Sequence, residues 1–512
     1  MAQTPQPDPV NAQSRSHPQR WPILGVLCMC LLVVVLDNTV LGVAIPSITE
    51  SLDASMSDIQ WTINAYSLVL AGLLMTTGSL ADRFGRKRAL LVGIVVFTAG
   101  SAVAAFAATP EQLILARAGM GVGAAFLMPS TLAVLMHLFD EKERPKAIAA
   151  WSAVASLGMA LGPVVGGALL DHFWWGSVFL LNIPVGALAI VAIVAMVPES
   201  RNPNSRKSDL PGVLLSILLG VGLVYAVISV PEHGWGSANV LVPLAVGLVG
   251  LVGFVLWERR TAEPMLDMTL FRNPKFTGAV VTGALLAFAM GGSLFLFTQY
   301  LQFVLGYTPM QAGLSLVPLA LAVLAATPFS PRVIARIGGP LTLAIGLSVL
   351  GAGLLSLSLV DSDSGYLPTL AGLVMIGGGV GIATPASTGA LMSSVPPQRE
   401  GIASGLTSAL QELGNALGVA ILGSVMSANF AAHLPAFLPD GVEHSVGLAL
   451  GAAAQAPDAA GTVQAVKEAF VSGVSMSLIC GAVVAVGAGF AAWALIRRES
   501  AQGLGTVADS AE

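Results

Sequence analysis

A short charged segment of the chain reads Gly78-Ser79-Leu80-Ala81-Asp82-Arg83-Phe84-Gly85-Arg86-Lys87-Arg88. Five of its last seven residues are charged, and a long apolar run lies on each side. A charged side chain costs about 2.5–3.5 kcal/mol at the centre of a membrane helix. The charges are therefore expected at a membrane surface, between two segments that cross the bilayer.

The composition supports an integral membrane protein. Of the 512 residues, 55% are hydrophobic and 10% are charged, whereas soluble domains carry about 25% charged residues. The three cysteines, Cys28, Cys30 and Cys480, lie in apolar runs and predict no disulfide. The sequence contains no phosphate-binding loop, no Gly-x-Ser-x-Gly and no cluster of metal ligands. We therefore expect no enzyme, no cofactor, no metal and no ATP-driven transport.

The number of membrane spans can be predicted from the length of the apolar runs. A spanning helix needs about 20 apolar residues, and fourteen such runs can be placed. They are 21–46, 58–81, 89–107, 111–136, 145–170, 175–197, 210–230, 238–257, 276–300, 309–330, 339–360, 367–392, 402–428 and 469–496. The predicted fold class is an all-α integral membrane protein with 14 transmembrane helices.

The basic residues follow the positive-inside rule on this map. With the N-terminus in the cytoplasm, 21 of the 23 lysines and arginines fall on the cytoplasmic side. Lys467 falls outside, and Arg117 falls within a span. A missed or extra helix would scramble this alternation along the rest of the chain. We therefore predict a multi-pass protein of the inner (plasma) membrane with cytoplasmic N- and C-termini.

Two internal repeats predict a duplicated architecture. Residues 331–339 are an imperfect copy of 78–88, and Gly414-x-x-x-Gly418 repeats Gly158-x-x-x-Gly162. The predicted arrangement is two pseudo-symmetric six-helix bundles plus two inserted helices. Its parts are a disordered cytoplasmic tail (1–20), the first bundle (21–197), a linker with two inserted spans (198–257), a cytoplasmic interfacial helix (258–275), the second bundle (276–496) with an extracellular loop (429–468), and a cytoplasmic tail (497–512). The loop is interpreted either as a lid over the outer mouth or as a tolerated insertion.

Four motifs resemble the major facilitator superfamily, and within it the drug:proton antiporters with fourteen spans. The first motif is the segment 78–88. The others are Leu113-x-x-x-Arg117-x-Gly119-x-Gly121-x-Gly123, Gly158-x-x-x-Gly162-Pro163-x-x-Gly166-Gly167, and Leu36-Asp37-Asn38-Thr39-Val40 through Ile45-Pro46. The resemblance covers nearly the whole chain.

The resemblance implies a proton-coupled antiporter of the multidrug or quaternary ammonium type. Such a protein would export amphipathic, cationic drugs or dyes by alternating access. Its partners would be the small-molecule substrate, protons and membrane lipid, without nucleic acid, and we expect a monomer. The alternatives are a dedicated exporter of one metabolite or self-made antibiotic, an importer or proton symporter, and a non-transporting membrane receptor.

Three ionisable residues lie inside the predicted spans, namely Asp37, Arg117 and Glu412. At about 1.5 Å per residue, Asp37 lies ~13 Å and Arg117 ~9 Å below the outer ends of their spans, so the two share a layer. We expect Asp37 to take the proton with Arg117 adjusting its affinity, or the two to form a purely structural ion pair. Glu412 lies ~15 Å deep, where it is expected to hold a cationic substrate or a second proton, or else a bond between helices.

The candidate substrate-binding residues are Glu412 and the polar and aromatic side chains of the spans: Trp61, Asn64, Tyr66, Asn182, Phe297, Gln299 and Tyr300. Aromatic rings attract organic cations, although Trp and Tyr near helix ends also anchor spans at the membrane interface. The sequence leaves this alternative open for each of them.

Two segments are the candidates for gating and sealing. Gly158, Gly162, Gly166 and Gly167 line one face of a span and predict the close approach of another helix, while Pro163 permits a bend. The charged segment is expected to form a gate at the cytoplasmic face, with the alternative that it only anchors the topology. Its candidate residues are Gly78, Asp82, Arg83, Gly85, Arg86 and Arg88. We expect glycines in tight turns, Asp82 bonded to a helix N-terminus or a nearby arginine, and Arg86–Arg88 facing lipid.

Overall fold

The computed structural model of the protein describes residues 18–140, 142–201, 209–261, 266, 268–361, 366–395 and 400–509. These residues form α-helices joined by short turns, with no β-strand among them. The helices are α1 (Arg20–Leu52), α2 (Met56–Phe84), α3 (Arg86–Ala105), α4 (Pro110–Leu138), α5 (Arg144–His172), α6 (Ser177–Leu180), α7 (Asn182–Met196), α8 (Leu210–His233), α9 (Ala238–Glu258), α10 (Pro274–Gln299), α11 (Pro309–Ala326), α12 (Ser330–Ile337), α13 (Gly339–Ser358), α14 (Tyr366–Met392), α15 (Glu400–His433), α16 (Val446–Ala453) and α17 (Ala459–Asp509).

The described residues contain fourteen helical segments that are long and apolar enough to cross a membrane, which confirms the predicted number. Three of these spans contain a break. The short α6 and α7 together make the span Ser177–Met196, and α11 continues into α12 as Pro309–Ile337. In the third, α10 ends in a π-helical turn over Tyr300–Val304.

The helices form two bundles whose internal packing is equivalent. In the first bundle (α1–α7) the glycines of α5 face α1, so that a Cβ on Gly158 would lie 3.1 Å from Val35. In the second bundle (α10–α15 and α17) the glycines of α15 face α10, and a Cβ on Gly414 would lie 2.2 Å from the carbonyl oxygen of Ala284. The repeated Gly-x-x-x-Gly motifs therefore occupy corresponding places in the two halves.

The second internal repeat also has a structural counterpart. Within each copy of the charged segment, at 78–88 and at 331–339, a helix ends at a glycine with positive φ, +117° at Gly85 and +82° at Gly338. A new helix, α3 or α13, begins at the next residue. Positive φ is readily available only to glycine, so the glycine in each copy is required by the turn.

The two bundles contact each other closely at one end of the molecule. We call the end that carries residues 78–88 the basic end, and the other the distal end. At the distal end α5 packs on α11, since a Cβ on Gly313 would lie 2.1 Å from the Pro163 carbonyl oxygen. In addition, Nε2 of Gln302 donates to the carbonyl oxygen of Val43 at 2.9 Å, which joins the end of α10 to α1.

Toward the basic end the same face of α5 loses its partner. Met159 and Ser156 lie one and two turns below Pro163, and both are exposed. Pro163 itself is buried. The seam between α5 and α11 is therefore closed at the distal end and open toward the basic end, whereas at the α2–α15 seam Met75 still packs against the second bundle beside Gly405.

The inserted helices α8 and α9 form a hairpin that covers one seam between the bundles. A Cβ on Gly220 of α8 would lie 2.9 Å from Leu68 of α2 and 3.6 Å from Leu413 of α15. The hydroxyl of Ser424 in α15 donates to the carbonyl oxygen of Val227 in α8 at 3.0 Å. Because α8 contacts one helix of each bundle, it lies across the α2–α15 seam.

Several predicted boundaries differ from the structure. Helix α2 continues to Phe84, so Gly78 lies within a helix and is not part of a tight turn. The predicted extracellular loop 429–468 contains the end of α15, the short helix α16 and the first turns of α17. The last span begins at Ala459, ten residues before the predicted start at 469, because the polar side chains of this stretch do not interrupt the helix.

Each of the predicted peripheral segments falls partly outside the described residues. Of the predicted N-terminal tail, residues 1–17 lie outside, and α1 begins at Arg20. Of the predicted interfacial helix, residues 262–265 and 267 lie outside, and Met268–Arg272 form a 3-10 turn. In the predicted C-terminal tail the backbone of α17 continues to Asp509, and residues 510–512 lie outside.

Candidate functional site

The centre of the first bundle holds a buried ion pair between α1 and α4. Nη1 of Arg117 donates to Oδ2 of Asp37. Asp37 is 3% exposed and Arg117 is fully buried. Helix depth predicted that the two residues share a layer, and the structure brings them into direct contact.

Three further elements complete this site. Nδ2 of Asn182, at the start of α7, donates to Oδ1 of Asp37 at 3.0 Å and approaches Oγ of Ser101 in α3 at 2.9 Å. Nε of Arg117 donates to the carbonyl oxygen of Thr62 in α2 at 3.3 Å. The guanidinium also lies 4.4 Å from the centre of the Tyr66 ring. Each carboxylate oxygen of Asp37 therefore has its own donor.

The glycines of α4 bring the neighbouring helices close enough for these contacts. A Cβ on Gly121 would lie 2.7 Å from the Tyr66 carbonyl oxygen, and one on Gly123 would lie 2.6 Å from the Phe97 nitrogen. Larger residues would push α2 and α3 away from α4. The motif around Arg117 therefore serves helix packing as well as charge.

The second acid, Glu412, lies on α15 where it faces α2. Asn415, one turn further along α15, donates from Nδ2 to Oγ of Ser67 in α2 at 3.3 Å. The carboxyl oxygen Oε2 of Glu412 is buried and has no hydrogen-bond partner among the described residues. Unlike Asp37, Glu412 therefore keeps an acceptor oxygen that can receive a cation or a proton.

The predicted substrate-binding residues do not form one pocket. Tyr66 and Asn182 contact the Asp37–Arg117 pair. Trp61 instead packs against Tyr225 of the inserted helix α8, with ring centres 5.6 Å apart. Asn64 is fully buried on α2, and neither atom of its amide has a partner in the described part of the chain.

The three candidates at the end of α10 lie inside the second bundle. Phe297 and Tyr300 stack with ring centres 5.9 Å apart and both line a small, mainly apolar crevice together with Leu357 and Val474. Tyr300 donates its hydroxyl to the carbonyl oxygen of Asp361 at 3.0 Å. Gln299 bonds back to the carbonyl oxygen of Phe295 in its own helix at 3.2 Å. These side chains are separated from the two acids and are occupied by contacts within their bundle.

The glycine face of α5 packs as predicted against a neighbouring helix. A Cβ on Gly162 would lie 1.8 Å from Oγ1 of Thr39 in α1, and one on Gly166 would lie 2.8 Å from Cγ1 of Val40. Gly167 faces the other bundle, where a Cβ would lie 2.6 Å from Cα of Met310. Helix α5 therefore packs closely against two neighbours, α1 within its own bundle and α11 of the other bundle.

The charged segment forms an ordered turn at the basic end. Nε of Arg86 donates to Oδ1 of Asp82 at 2.8 Å, one turn apart. Nη1 of Arg86 also donates to the carbonyl oxygen of Ala133 in α4 at 3.4 Å, so this side chain points into the protein. The prediction that Arg86 faces lipid is therefore wrong. Arg83 lies over the ring of Phe84, at 5.4 Å from its centre, and Arg88 is exposed.

Sequence reasoning missed several residues that hold these sites. Glu199, after α7, accepts from the backbone nitrogen of Lys87 at 3.2 Å and lies 3.7 Å from Arg88. Asp171 accepts from the backbone nitrogen of Met310 at 3.3 Å and so links α5 to the first turn of α11. Both acids lie just beyond the ends of the predicted spans 145–170 and 175–197, and only the three-dimensional contacts single them out.

Comparison with known proteins agrees with this architecture. Residues 27–419 match the family model of the Major Facilitator Superfamily. The chain belongs to the Major Facilitator Superfamily. It is 39% identical over 385 residues to the multidrug resistance protein Stp of Mycobacterium tuberculosis, which covers 75% of this chain and 72% of that protein. It is 38% identical over 402 residues to the multidrug efflux pump LfrA of Mycolicibacterium smegmatis, with 78% and 80% covered.

Further proteins are similar in sequence or in fold. The tetracenomycin C resistance and export protein of Streptomyces glaucescens is 34% identical over 395 residues, 77% of this chain and 73% of that protein. Among solved structures, a bacterial homologue of the human lysosomal transporter Spinster, in an inward-facing and unoccupied conformation, has a TM-score of 0.64 at 19% identity. That match covers 94% of this chain and 98% of the other.

Proposed function

We propose that this member of the superfamily is a proton-coupled antiporter that exports amphipathic, cationic compounds. The observation that carries the proposal is the buried Asp37–Arg117 pair, surrounded by Asn182, Thr62 and Tyr66. A charged pair inside a membrane protein is costly. A transporter that moves protons has a use for such a pair, because its acid can alternate between charged and neutral forms.

The membrane orientation assigns a conformation to the structure. The basic end faces the cytoplasm by the positive-inside rule, and the bundles contact each other at the distal end through Gly313 and Pro163, and through Gln302 and Val43. The structure therefore corresponds to an inward-facing conformation, in which a substrate enters from the cytoplasm or the inner leaflet.

The proton step follows from the charges at the first site. With Asp37 charged, Arg117 and Asn182 occupy both of its oxygens. A proton on Asp37 removes the ionic part of the bond to Arg117 and leaves a buried cation without its counter-charge. That cost favours a rearrangement of α1 against α4. Proton uptake on one side and release on the other would thereby drive the change of conformation.

Glu412 supplies the attraction for a cationic substrate or a second proton. Its Oε2 is buried without a partner among the described residues and lies on the helix that faces the first bundle. A proton that enters down ~100 mV and one pH unit releases about 2.3 plus 1.4 kcal/mol. Export of a monovalent cation uses ~2.3 kcal/mol of that. If Glu412 carried a second proton, more free energy would remain to build a concentration gradient of the substrate.

One relative favours a second candidate, the export of a specific natural product. The protein from Streptomyces glaucescens is named for tetracenomycin C resistance and export, and a dedicated exporter would use the same scaffold. The two functions differ in substrate breadth.

Transport by the purified protein in proteoliposomes would test the proposal. We expect an imposed proton gradient to drive several chemically unrelated organic cations, and collapse of the gradient to stop them. Transport of a single compound would favour the dedicated exporter. Transport that ignores the proton gradient would overturn proton coupling.

A further inference from the structure

Lys467 is the one lysine or arginine that the charge pattern of the sequence places on the outer side of the membrane. It lies on α17, and its Nζ donates to the carbonyl oxygen of Val304 at 3.0 Å. Val304 is the last residue of the π-helical turn that ends α10. The exception to the positive-inside rule therefore has a specific partner at the end of another helix.

The end of α10 is a favourable place for a cation. The last carbonyl groups of a helix lack donors from the helix itself and carry partial negative charge. The π-helical turn spans Tyr300–Val304, and the chain turns away at Gly306, whose φ is +67°. The ammonium of Lys467 supplies both a donor and a positive charge to the last carbonyl group of this turn.

Two further contacts hold the π-helical turn within the second bundle. Phe470, one turn after Lys467 on α17, packs its ring against that of Phe303 with ring centres 6.2 Å apart. Tyr300 donates its hydroxyl to the carbonyl oxygen of Asp361, beyond the end of α13, at 3.0 Å. The turn is therefore fixed from two sides, and α17 contributes a polar and an apolar contact to one of them.

The same turn carries the side chain that reaches the first bundle. Nε2 of Gln302 donates to the carbonyl oxygen of Val43 in α1 at 2.9 Å. A π-helical turn closes its hydrogen bonds over one residue more than an α-helical turn, so the side chains of the two kinds of turn point in different directions. A return of residues 300–304 to α-helical bonding would therefore rotate Gln302 away from α1.

We propose that Lys467 is a positioning residue that keeps the π-helical turn in the shape in which Gln302 bonds to α1, and that it thereby stabilises the closed distal end. Without the ammonium, the last carbonyl group of the turn loses its donor from α17, and the turn relaxes. Gln302 then leaves Val43, and the bundles separate more readily at this end. The inference goes beyond the proposed function, because it concerns which end of the molecule is closed and not which compound is exported.

Distances between spin labels on Ala108→Cys and Leu359→Cys, in the full-length protein without its native cysteines, would test the proposal. Both positions are exposed at the distal end, Ala108 after α3 of the first bundle and Leu359 after α13 of the second. Lys467→Met keeps an aliphatic side chain and removes the ammonium. We expect it to raise the population with a separated distal end about fivefold. Lys467→Arg keeps the charge and should restore most of the wild-type distribution.

Glu468→Met is the matched control on the same helix. Glu468 is the next residue of α17, is exposed, and accepts from Nε2 of Gln464 in its own helix at 3.1 Å. Its replacement should leave the distance distribution unchanged. A double-mutant cycle then shows whether Lys467 acts through Gln302. In a Gln302→Leu background, Lys467→Met should have little further effect.

Three results would overturn the role of Lys467: an unchanged distribution in Lys467→Met, an equal effect of Glu468→Met, or an undiminished effect of Lys467→Met in the Gln302→Leu background. A wild-type protein that is mostly separated at the distal end would overturn it together with the inward-facing assignment. The measurement needs neither substrate nor a proton gradient. A failure to transport organic cations would therefore refute the proposed function and leave this inference standing.

Discussion

The two acids inside the spans of this protein are held differently. Asp37 meets a cation and an amide, so both of its oxygens have donors within one bundle. Glu412 lies where α15 meets α2, and its buried Oε2 has no hydrogen-bond partner among the described residues. A carboxylate with both donors in place is suited to switching between two internal states, and a carboxyl with a free acceptor oxygen is suited to receiving a ligand. We therefore propose that the first bundle holds the switch and the second bundle attracts the substrate.

The largest effect is expected when Asp37 loses its counter-charge, Arg117. Arg117→Leu leaves the Asp37 carboxylate buried without a counter-charge, and breaking a buried pair costs about 3–5 kcal/mol. We expect a large fall in folded yield and melting temperature. The double variant Asp37→Asn/Arg117→Leu should recover part of this loss, because it removes both charges. A single variant as stable as wild type would contradict the description of Asp37 as a charged, paired acid.

Glu412→Gln should affect transport and leave stability nearly unchanged. The amide is isosteric but carries no charge with which to attract a cation. We expect transport of organic cations to fall by about tenfold or more, the equivalent of one charge-assisted contact, while transport of a neutral amphipathic compound is retained. Equal loss for cations and neutral compounds would show that Glu412 acts on the conformation and not on the substrate.

Smaller effects on stability are expected from substitutions of the glycines that pack beside the two acids, and these effects should differ between the two sites. A Cβ on Gly162 would meet the side chain of Thr39, two residues after Asp37, whereas a Cβ on Gly414, two residues after Glu412, would meet the Ala284 backbone. Overpacking costs about 1–3 kcal/mol, and a side chain can yield where backbone cannot. We therefore expect Gly414→Ala to lower the melting temperature more than Gly162→Ala.

Two controls accompany that comparison. Thr39→Ala should relieve part of the Gly162→Ala defect, because it removes the atom that lies 1.8 Å from the added Cβ. Gly119→Ala should be tolerated, since no atom lies within 4 Å of a Cβ at that position. A harmful Gly119→Ala would show that steric contact does not govern these helices.

The smallest effect is expected at Asp171, an exposed acid at the distal end. It accepts from the backbone nitrogen of Met310 at 3.3 Å and so stabilises the first turn of α11 from the other bundle. Loss of a charge at an exposed helix N-terminus should change the balance between conformations about two- to fivefold. Spin labels across the α5–α11 seam would measure this as a larger open population at the distal end in Asp171→Asn. An unchanged distance distribution would show that Asp171 does not stabilise the contact between α5 and α11.

The sequence was sufficient for the spans and for one of the two sites. Apolar length and the positions of basic residues predicted fourteen spans, and depth along a helix placed Asp37 and Arg117 in one layer. Depth does not determine direction around the helix, however. Depth therefore leaves Trp61 open between a substrate pocket and an interface anchor, and only the structure shows that it packs on Tyr225 of α8. Contacts between distant segments, such as Asn182 with Asp37, depend on how the helices are arranged in space.

The central claim is that protonation of Asp37 is coupled to transport, and substrate-dependent proton release tests it most directly. Wild-type protein in lightly buffered proteoliposomes should release protons when an organic cation is added, and Asp37→Asn should release fewer while remaining folded. Release at the wild-type level from folded Asp37→Asn would contradict the account.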